Sequence, residues 1–154
     1  MVPPMPVKIA AVHAAMGAAV PWPRRASALA AGWDLAAAID APVVLAPGDR
    51  RAVPLGFRLQ LPPGCEAQIR PRSGLALHHG ITCLNSPGTI DADYRGEVQA
   101  ILFHAGDRPF EIIPAMRVAQ MVFAWLPDAH LTVAEDPLSD TARGEQGFGS
   151  TGQG

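Results

Sequence analysis

Apolar and polar positions alternate in short bursts along this chain, and a turn signal closes each burst. Val43 to Ala46, Gly56 to Leu61, Glu66 to Arg70, Glu97 to Phe103, Phe110 to Ile113 and Arg117 to Trp125 each carry the length and the pattern of a strand. Between them stand Pro47-Gly48-Asp49, Pro62-Pro63-Gly64, Gly88 and Ala105-Gly106-Asp107, residue types that supply the backbone angles of turns. Val7 to His13 reads as an opening strand and Thr132 to Ala134 as a short closing one. Regular turns between short strands predict an all-β barrel or sandwich in one domain, without internal repeats.

Two stretches depart from that rhythm. Ala28 to Ile39 is rich in alanine, which favours a helix. Gly32 in its middle and Pro42 soon after it argue the other way. Arg72-Ser73-Gly74-Leu75-Ala76-Leu77-His78-His79-Gly80 follows Pro71 and predicts a helix of one or two turns. Ser73 is placed as its N-cap and Gly80 as its stop. Free N–H groups beside Ser73 and Arg72 suit a phosphate, although a capped short helix needs no ligand to explain it.

The densest chemistry lies in Gly88-Thr89-Ile90-Asp91-Ala92-Asp93-Tyr94-Arg95-Gly96-Glu97. Gly80 to Leu84 before it and Val98 to Phe103 after it are apolar, so the whole reads as a hairpin. A turn accounts for Asp93 and Gly96. It does not account for Asp91, Tyr94 and Arg95 gathering there as well.

Composition narrows the classes. The chain has 154 residues, 49% of them apolar and 17% charged, enough for one domain with a real core. Its 16 prolines and 15 glycines leave little room for long helices. Net charge is −2 and Lys8 is the only lysine, so no broad basic face for duplex nucleic acid is expected. A small anion held by a few arginines fits. Cys65 and Cys83 lack zinc-ligand spacing and read as buried thiols in a reducing compartment, which places the protein in the cytoplasm. Met1 to Val20 is interrupted by Pro3, Pro4, Pro6, Lys8 and His13, so neither a signal peptide nor a membrane helix of about 18 apolar residues is expected.

The tail from Arg143 to Gly152 is glycine-rich, with one aromatic residue, Phe148, and one arginine, Arg143. It reads as a solvated terminus unless a ligand gives it something to close over. In that case Phe148 could stack on a base while backbone N–H groups meet phosphate.

Five segments taken together resemble the trimeric deoxyuridine triphosphatases (dUTP diphosphatases), in the order of that family. They are Ala31-Gly32-Trp33-Asp34-Leu35, Pro71-Arg72-Ser73-Gly74-Leu75, Gly88 to Gly96, Arg117-Val118-Ala119-Gln120-Met121, and Arg143 to Gly152. The resemblance implies a jelly-roll-like β subunit over residues 1–142, a closing arm over 143–154, and a homotrimer with shared active sites. It implies dUTP as substrate, Mg²⁺ as cofactor, and hydrolysis to dUMP and pyrophosphate, with no nucleic acid or membrane as partner.

The same resemblance assigns roles. Asp91 matches the aspartate that activates the attacking water. Tyr94 matches the aromatic that packs beneath the deoxyribose and leaves no room for a 2′-hydroxyl, and Asn85 matches a uracil contact. Arg72, Ser73, Gly74 and Gln120 match the ligands of the phosphate chain. Asp34 matches the acid linked to magnesium through water. Arg143, Phe148, Gly149 and Ser150 match the arm, with Phe148 on uracil and Arg143 and Ser150 near the γ-phosphate. The departures are mild: Trp33 is bulky between Gly32 and Asp34, and Gln146 varies within the arm.

The chemistry is coherent beside the family name. A nucleoside triphosphate carries about four negative charges, which arginines and Mg²⁺ must offset before a nucleophile approaches. A carboxylate of reference pKa about 3.9 is a weak base at neutral pH, and nearby phosphate charge raises it. Asp93 is the alternative base, better explained as a turn residue. Adjacent His78 and His79 point in different directions from a helix and read as surface or packing residues. Cys65, Cys83 and the tryptophans are assigned to the core or to subunit contacts. Two rivals remain. A dCTP deaminase would carry a glutamate on the strand after the hairpin, where Val98-Gln99-Ala100-Ile101-Leu102 has none. A non-catalytic nucleotide-sensing trimer would lack Asp91, Arg72 or Gln120, and all three are present.

Overall fold

The computed structural model describes residues 4–145. It contains twelve strands and one helix: β1 (Lys8–Ala11), β2 (Arg24–Arg25), β3 (Trp33–Ala36), β4 (Val43–Leu45), β5 (Arg50–Pro54), β6 (Phe57–Gln60), β7 (Cys65–Arg70), α1 (Ser73–His79), β8 (Ile81–Cys83), β9 (Gly88–Ile90), β10 (Gln99–His104), β11 (Phe110–Ile112) and β12 (Arg117–Trp125). The strands form four sheets, ordered β1-β6, β5-β10-β8, β11-β4 and β2-β3-β12-β7-β9. The predicted all-β class with one short helix is observed, whereas no sheet closes into the barrel offered as one form of it.

The binary pattern decides which way each strand faces. In β7, Cys65, Ala67 and Ile69 point inward while Glu66, Gln68 and Arg70 point outward, the period of two expected of a half-buried strand. Phe57 and Leu59 do the same for β6, and Ala100, Leu102 and His104 for β10. These inward residues meet Leu35, Leu45, Ile81, Val98, Ile112 and Met121 in one continuous core.

Several expectations are corrected. Ala28 to Ile39 is not a helix; Trp33–Ala36 is a strand between β2 and β12, because Leu35 and Ala36 are buried there and sheet pairing outweighs the modest preference of alanine. The segment from Gly80 to Phe103 is no simple hairpin. Its apolar flanks do pair, Cys83 with Leu102 and Ile81 with His104. Between them Gly88–Ile90 leaves for another sheet and pairs with β7. Ser73 is not an N-cap: Arg72 holds the cap position, with no side-chain cap bond, and Ser73 opens the helix. Gly80 does end it, in the left-handed conformation at φ 66°. Thr132 to Ala134 is exposed and forms no strand. Of the tryptophans, Trp33 packs against the core, edge-on to Phe123, but Trp22 and Trp125 are exposed in the single chain. No helix among the described residues is long and apolar enough to cross a membrane.

Cys65 and Cys83 are free and buried, as expected. Burial disfavours the thiolate, raising both thiols and pushing Cys83 up to about 11. Because the folded value is raised, the associated stabilisation is full below the unfolded value of 9.0 and is lost as pH rises towards about 11. Neither thiol should therefore react with a chromogenic disulfide reagent at pH 8 in the native protein. Both should react at once in denaturant; rapid native labelling would contradict the burial.

Candidate active site

Two clusters of polar side chains stand out, and the five-stranded sheet supports both. The first surrounds Asp34. In β12, Val118 and Ala119 are buried side by side, which breaks the alternation, and the pairing with β3 shifts register between Arg117 and Ala119. Such a bulge re-aims the side chain at its edge. Here it returns Arg117 to the outer face that Gln120 occupies. Arg117 Nη1 donates to Asp34 Oδ2 at 2.9 Å, and Arg72 Nε donates to Asp34 Oδ1 at 3.2 Å. Arg72 Nη1 also donates to the Arg117 carbonyl at 3.1 Å.

Gln120 lies opposite Asp34 on one side and opposite Arg70 on the other. Its Nε2 donates to the Pro71 carbonyl at 2.9 Å, fixing the chain just before Arg72 and Ser73. A Cβ on Gly32 would collide with Gln120 Oε1, so a larger residue there would displace the Gln120 amide. Asp34, Arg72, Ser73, Gly74 and Gln120 thus form one neighbourhood. Sequence reasoning placed Arg117 only within a motif and missed its contact with Asp34, for which the local sequence carries no signal.

The second cluster surrounds Asp91. Asn85, Asp91 and Tyr94 line one cleft of about 270 Å³, walled by Ala52, Ile69 and Ile101. Gly88 packs so closely that a Cβ would meet Asn85 Nδ2 at 3.1 Å. The Ser86–Pro87 peptide beside Asn85 is cis. After Asp91 the chain turns, with Tyr94 N–H donating to the Asp91 carbonyl at 3.2 Å. Tyr94 Oη donates to the Glu97 carbonyl at 3.1 Å, holding the ring across the turn. Arg95 Nη1 donates to the carbonyls of Ala92 and Tyr94, at 2.7 and 2.9 Å; its role is to brace the loop. Glu97 Oε1 accepts from Gly56 N–H at 3.1 Å, tying the end of the loop to the neighbouring turn. Asp91 and Tyr94 remain exposed to the cleft and solvent.

Asp34, Arg72, Ser73 and Gln120 do not line the Asp91 cleft. The sheet order explains the separation: β3 and β9 are three positions apart, about 14 Å at about 4.8 Å per strand. Phe148, Gly149 and Ser150 lie outside the described residues, and Arg143 lies in the exposed segment that leads to them. No group of three or more His, Cys, Asp or Glu side chains converges among the described residues. Asp34 is the acid nearest the arginines, and a single carboxylate cannot hold a hard cation without other oxygen donors.

Comparison with known proteins follows the same lines. The dUTPase family model matches residues 18–152. A deoxyuridine 5'-triphosphate nucleotidohydrolase of Beijerinckia indica is 53% identical over 156 residues, covering 100% of this chain and 97% of that protein. One from Rhizobium rhizogenes is 60% identical over 126 residues, 80% of each chain. Among solved structures, the Staphylococcus bacteriophage 80alpha dUTPase with dUpNHpp superposes with a TM-score of 0.83 at 21% identity, covering 96% of this chain and 99% of that one. A mutant dUTPase of the Staphylococcus aureus phage phi11, described with a structural Mg(II) ion, superposes at 0.74 with 18% identity, covering 87% and 99%.

Tyr94 is the only tyrosine, which makes its ring an isolated reporter of the cleft. A Cβ on Gly96 would strike the Tyr94 hydroxyl and approach Cζ at 2.5 Å. Gly96→Ala should therefore shift the single tyrosine ring system in the NMR spectrum while core methyl signals stay in place. An unmoved tyrosine would show that the ring is not seated on Gly96.

Proposed function

The chain belongs to the dUTPase family and is a dUTP diphosphatase, and on that premise we propose how its residues divide the work. The observation that carries the reading is the convergence of Asn85, Asp91 and Tyr94 on one cleft. Asn85 contacts uracil. Tyr94, its ring held by the bond to Glu97, lies beneath the deoxyribose and excludes a 2′-hydroxyl. Asp91 accepts a proton from a water placed in line with the α-phosphorus. The oxygen of that water bonds to phosphorus, the bond to the bridging oxygen breaks, and pyrophosphate leaves with the electron pair; dUMP remains.

The phosphate chain is held by Arg72, Ser73, Gly74 and Gln120. Arg72 already has two bonds in the free chain, but a guanidinium has five donors, so it can grip phosphate without leaving Asp34. These ligands belong to a different neighbourhood from Asp91 in one chain, which favours the jelly-roll-like homotrimer with each site pooled between subunits. The donor set suits Mg²⁺ carried by the substrate phosphates, with Asp34 reached through water; the ion would offset phosphate charge. Residues 1–142 form the subunit body, and residues 143–154 close over the nucleotide, Arg143 and Ser150 at the γ-phosphate, Gly149 beside them and Phe148 on uracil. Closure excludes water and fixes the reacting geometry. In the cytoplasm this reaction keeps uracil out of DNA and supplies dUMP for thymidylate synthesis.

The test is pyrophosphate release from dUTP, dCTP, dTTP and UTP in magnesium buffer, for the wild type and for Asp91→Asn. Release should be confined largely to dUTP. Asp91→Asn should lose at least about 10²-fold in rate, the usual worth of a general base, while binding dUTP nearly as before. A variant retaining more than about a tenth of the rate would remove Asp91 from that role.

A further inference from the structure

We propose that Gly80 and Gly106 form a clasp that sets where Arg72 and Ser73 stand, so that Gly106 is a positioning residue for the phosphate half of the site. The inference rests on the reading of Arg72 and Ser73 as phosphate ligands. It starts from how little holds α1. The helix has seven residues, none of them fully buried, and Leu77 is 80% exposed. Only Leu75 packs against the core, and partly. A helix this short is not stable on its own and must be seated by tertiary contacts. A cleft of about 830 Å³ separates the C-terminal half of α1 from much of the loop Ala105 to Phe110, so the glycine contact is a narrow bridge between them.

The two ends of α1 do the seating. At its start Arg72 bonds to Asp34 and to the Arg117 carbonyl. At its end Gly80 takes the left-handed conformation, and its carbonyl accepts from Ala105 N–H at 2.7 Å. There two glycines meet. A Cβ on Gly80 would lie 2.8 Å from Gly106 Cα and 2.9 Å from the Ala105 carbonyl carbon. A Cβ on Gly106 would lie 2.6 Å from the His79 carbonyl oxygen and 2.7 Å from His104 Nε2. Gly106 does not have a left-handed φ, so the requirement there is space alone.

His104 cannot yield that space. It is 1% exposed, and its Nδ1 is 3.1 Å from the Leu45 carbonyl. One added methyl at Gly106 therefore presses on the His79 carbonyl at the end of α1. The helix is a rigid rod of about 10 Å, so displacement at His79 reaches Ser73 and Arg72 while the Asp91 cleft, on other elements, is left alone.

The experiment compares binding of a non-hydrolysable imido analogue of dUTP with binding of dUMP, which keeps only the α-phosphate. Gly106→Ala should weaken the triphosphate analogue by about tenfold or more, the scale of losing one hydrogen bond to a charged group. It should change dUMP far less. Gly48→Ala is the control for adding a methyl to a loop glycine: Gly48 is left-handed, with nothing within 4 Å of a Cβ, and should show no such split. If Gly106→Ala does not fold, Phe110→Ala, which removes the ring 5.1 Å from His79, should show a milder form of the same split. Equal loss for both ligands, or loss for neither, would overturn the clasp. Arg72→Ala separates the two layers: if it weakens the analogue and Gly106→Ala does not, only the clasp fails. If Arg72→Ala has no effect, the assignment beneath it fails.

Discussion

β12 is hydrogen-bonded along both edges, and the site depends on that double pairing. On one edge it fixes β3, which puts Asp34 opposite Gln120; on the other it fixes β7, which puts Arg70 opposite the same Gln120. Since β7 runs straight into Pro71 and Arg72, the register of β12 decides where Arg72 and Ser73, the proposed phosphate ligands, stand. β7 also pairs with β9, whose last residue precedes Asp91. A slip of one residue in β12 would turn its buried side chains outward, break the Asp34 bonds and move both clusters together. The bulge at Arg117 shifts the register of β12 against β3, and it brings the second arginine to Asp34.

Asp34 is the pivot of the cluster proposed to hold phosphate. Its side chain is 17% exposed and bears two arginines, one on each oxygen. Ion pairs open to water contribute little to stability, about 0–1 kcal/mol. The value of this one lies in order: two flexible cations are held in one place before any anion arrives, which lowers the cost of binding. The Asp91 cluster, the proposed base half, is ordered differently, by backbone. Tyr94, Arg95 and Glu97 bond to carbonyls or an N–H of the loop and its neighbour, leaving Asp91 at the mouth of the cleft.

Much of this was legible in the sequence because turns are written in glycine and proline, and half-buried strands in alternation. β6, β7, β10 and β12 stand where the pattern puts them, and Asn85, Asp91 and Tyr94 line one cleft. What was not legible depends on partners distant in the chain. Nothing local tells that the alanines around Gly32 pair with β12, or that Gly88–Ile90 abandons β8 and β10 for β7. Ser73 has the chemistry of a cap, yet the chain enters α1 one residue earlier, with Arg72 at the cap position and its side chain on Asp34. Arg117 has no local signal for its contact with a residue far away in sequence.

The central claim is that the base half and the phosphate half of each site come from different subunits. Refolding two inactive variants together, Asp91→Asn with Arg72→Ala, tests it directly. Each mixed contact that joins the intact Asp91 of one chain to the intact Arg72 of another restores a site, so an equal mixture should recover about a quarter of wild-type dUTP turnover. If both halves came from one chain, every site in the mixture would carry a defect, and turnover would stay at the level of the separate variants.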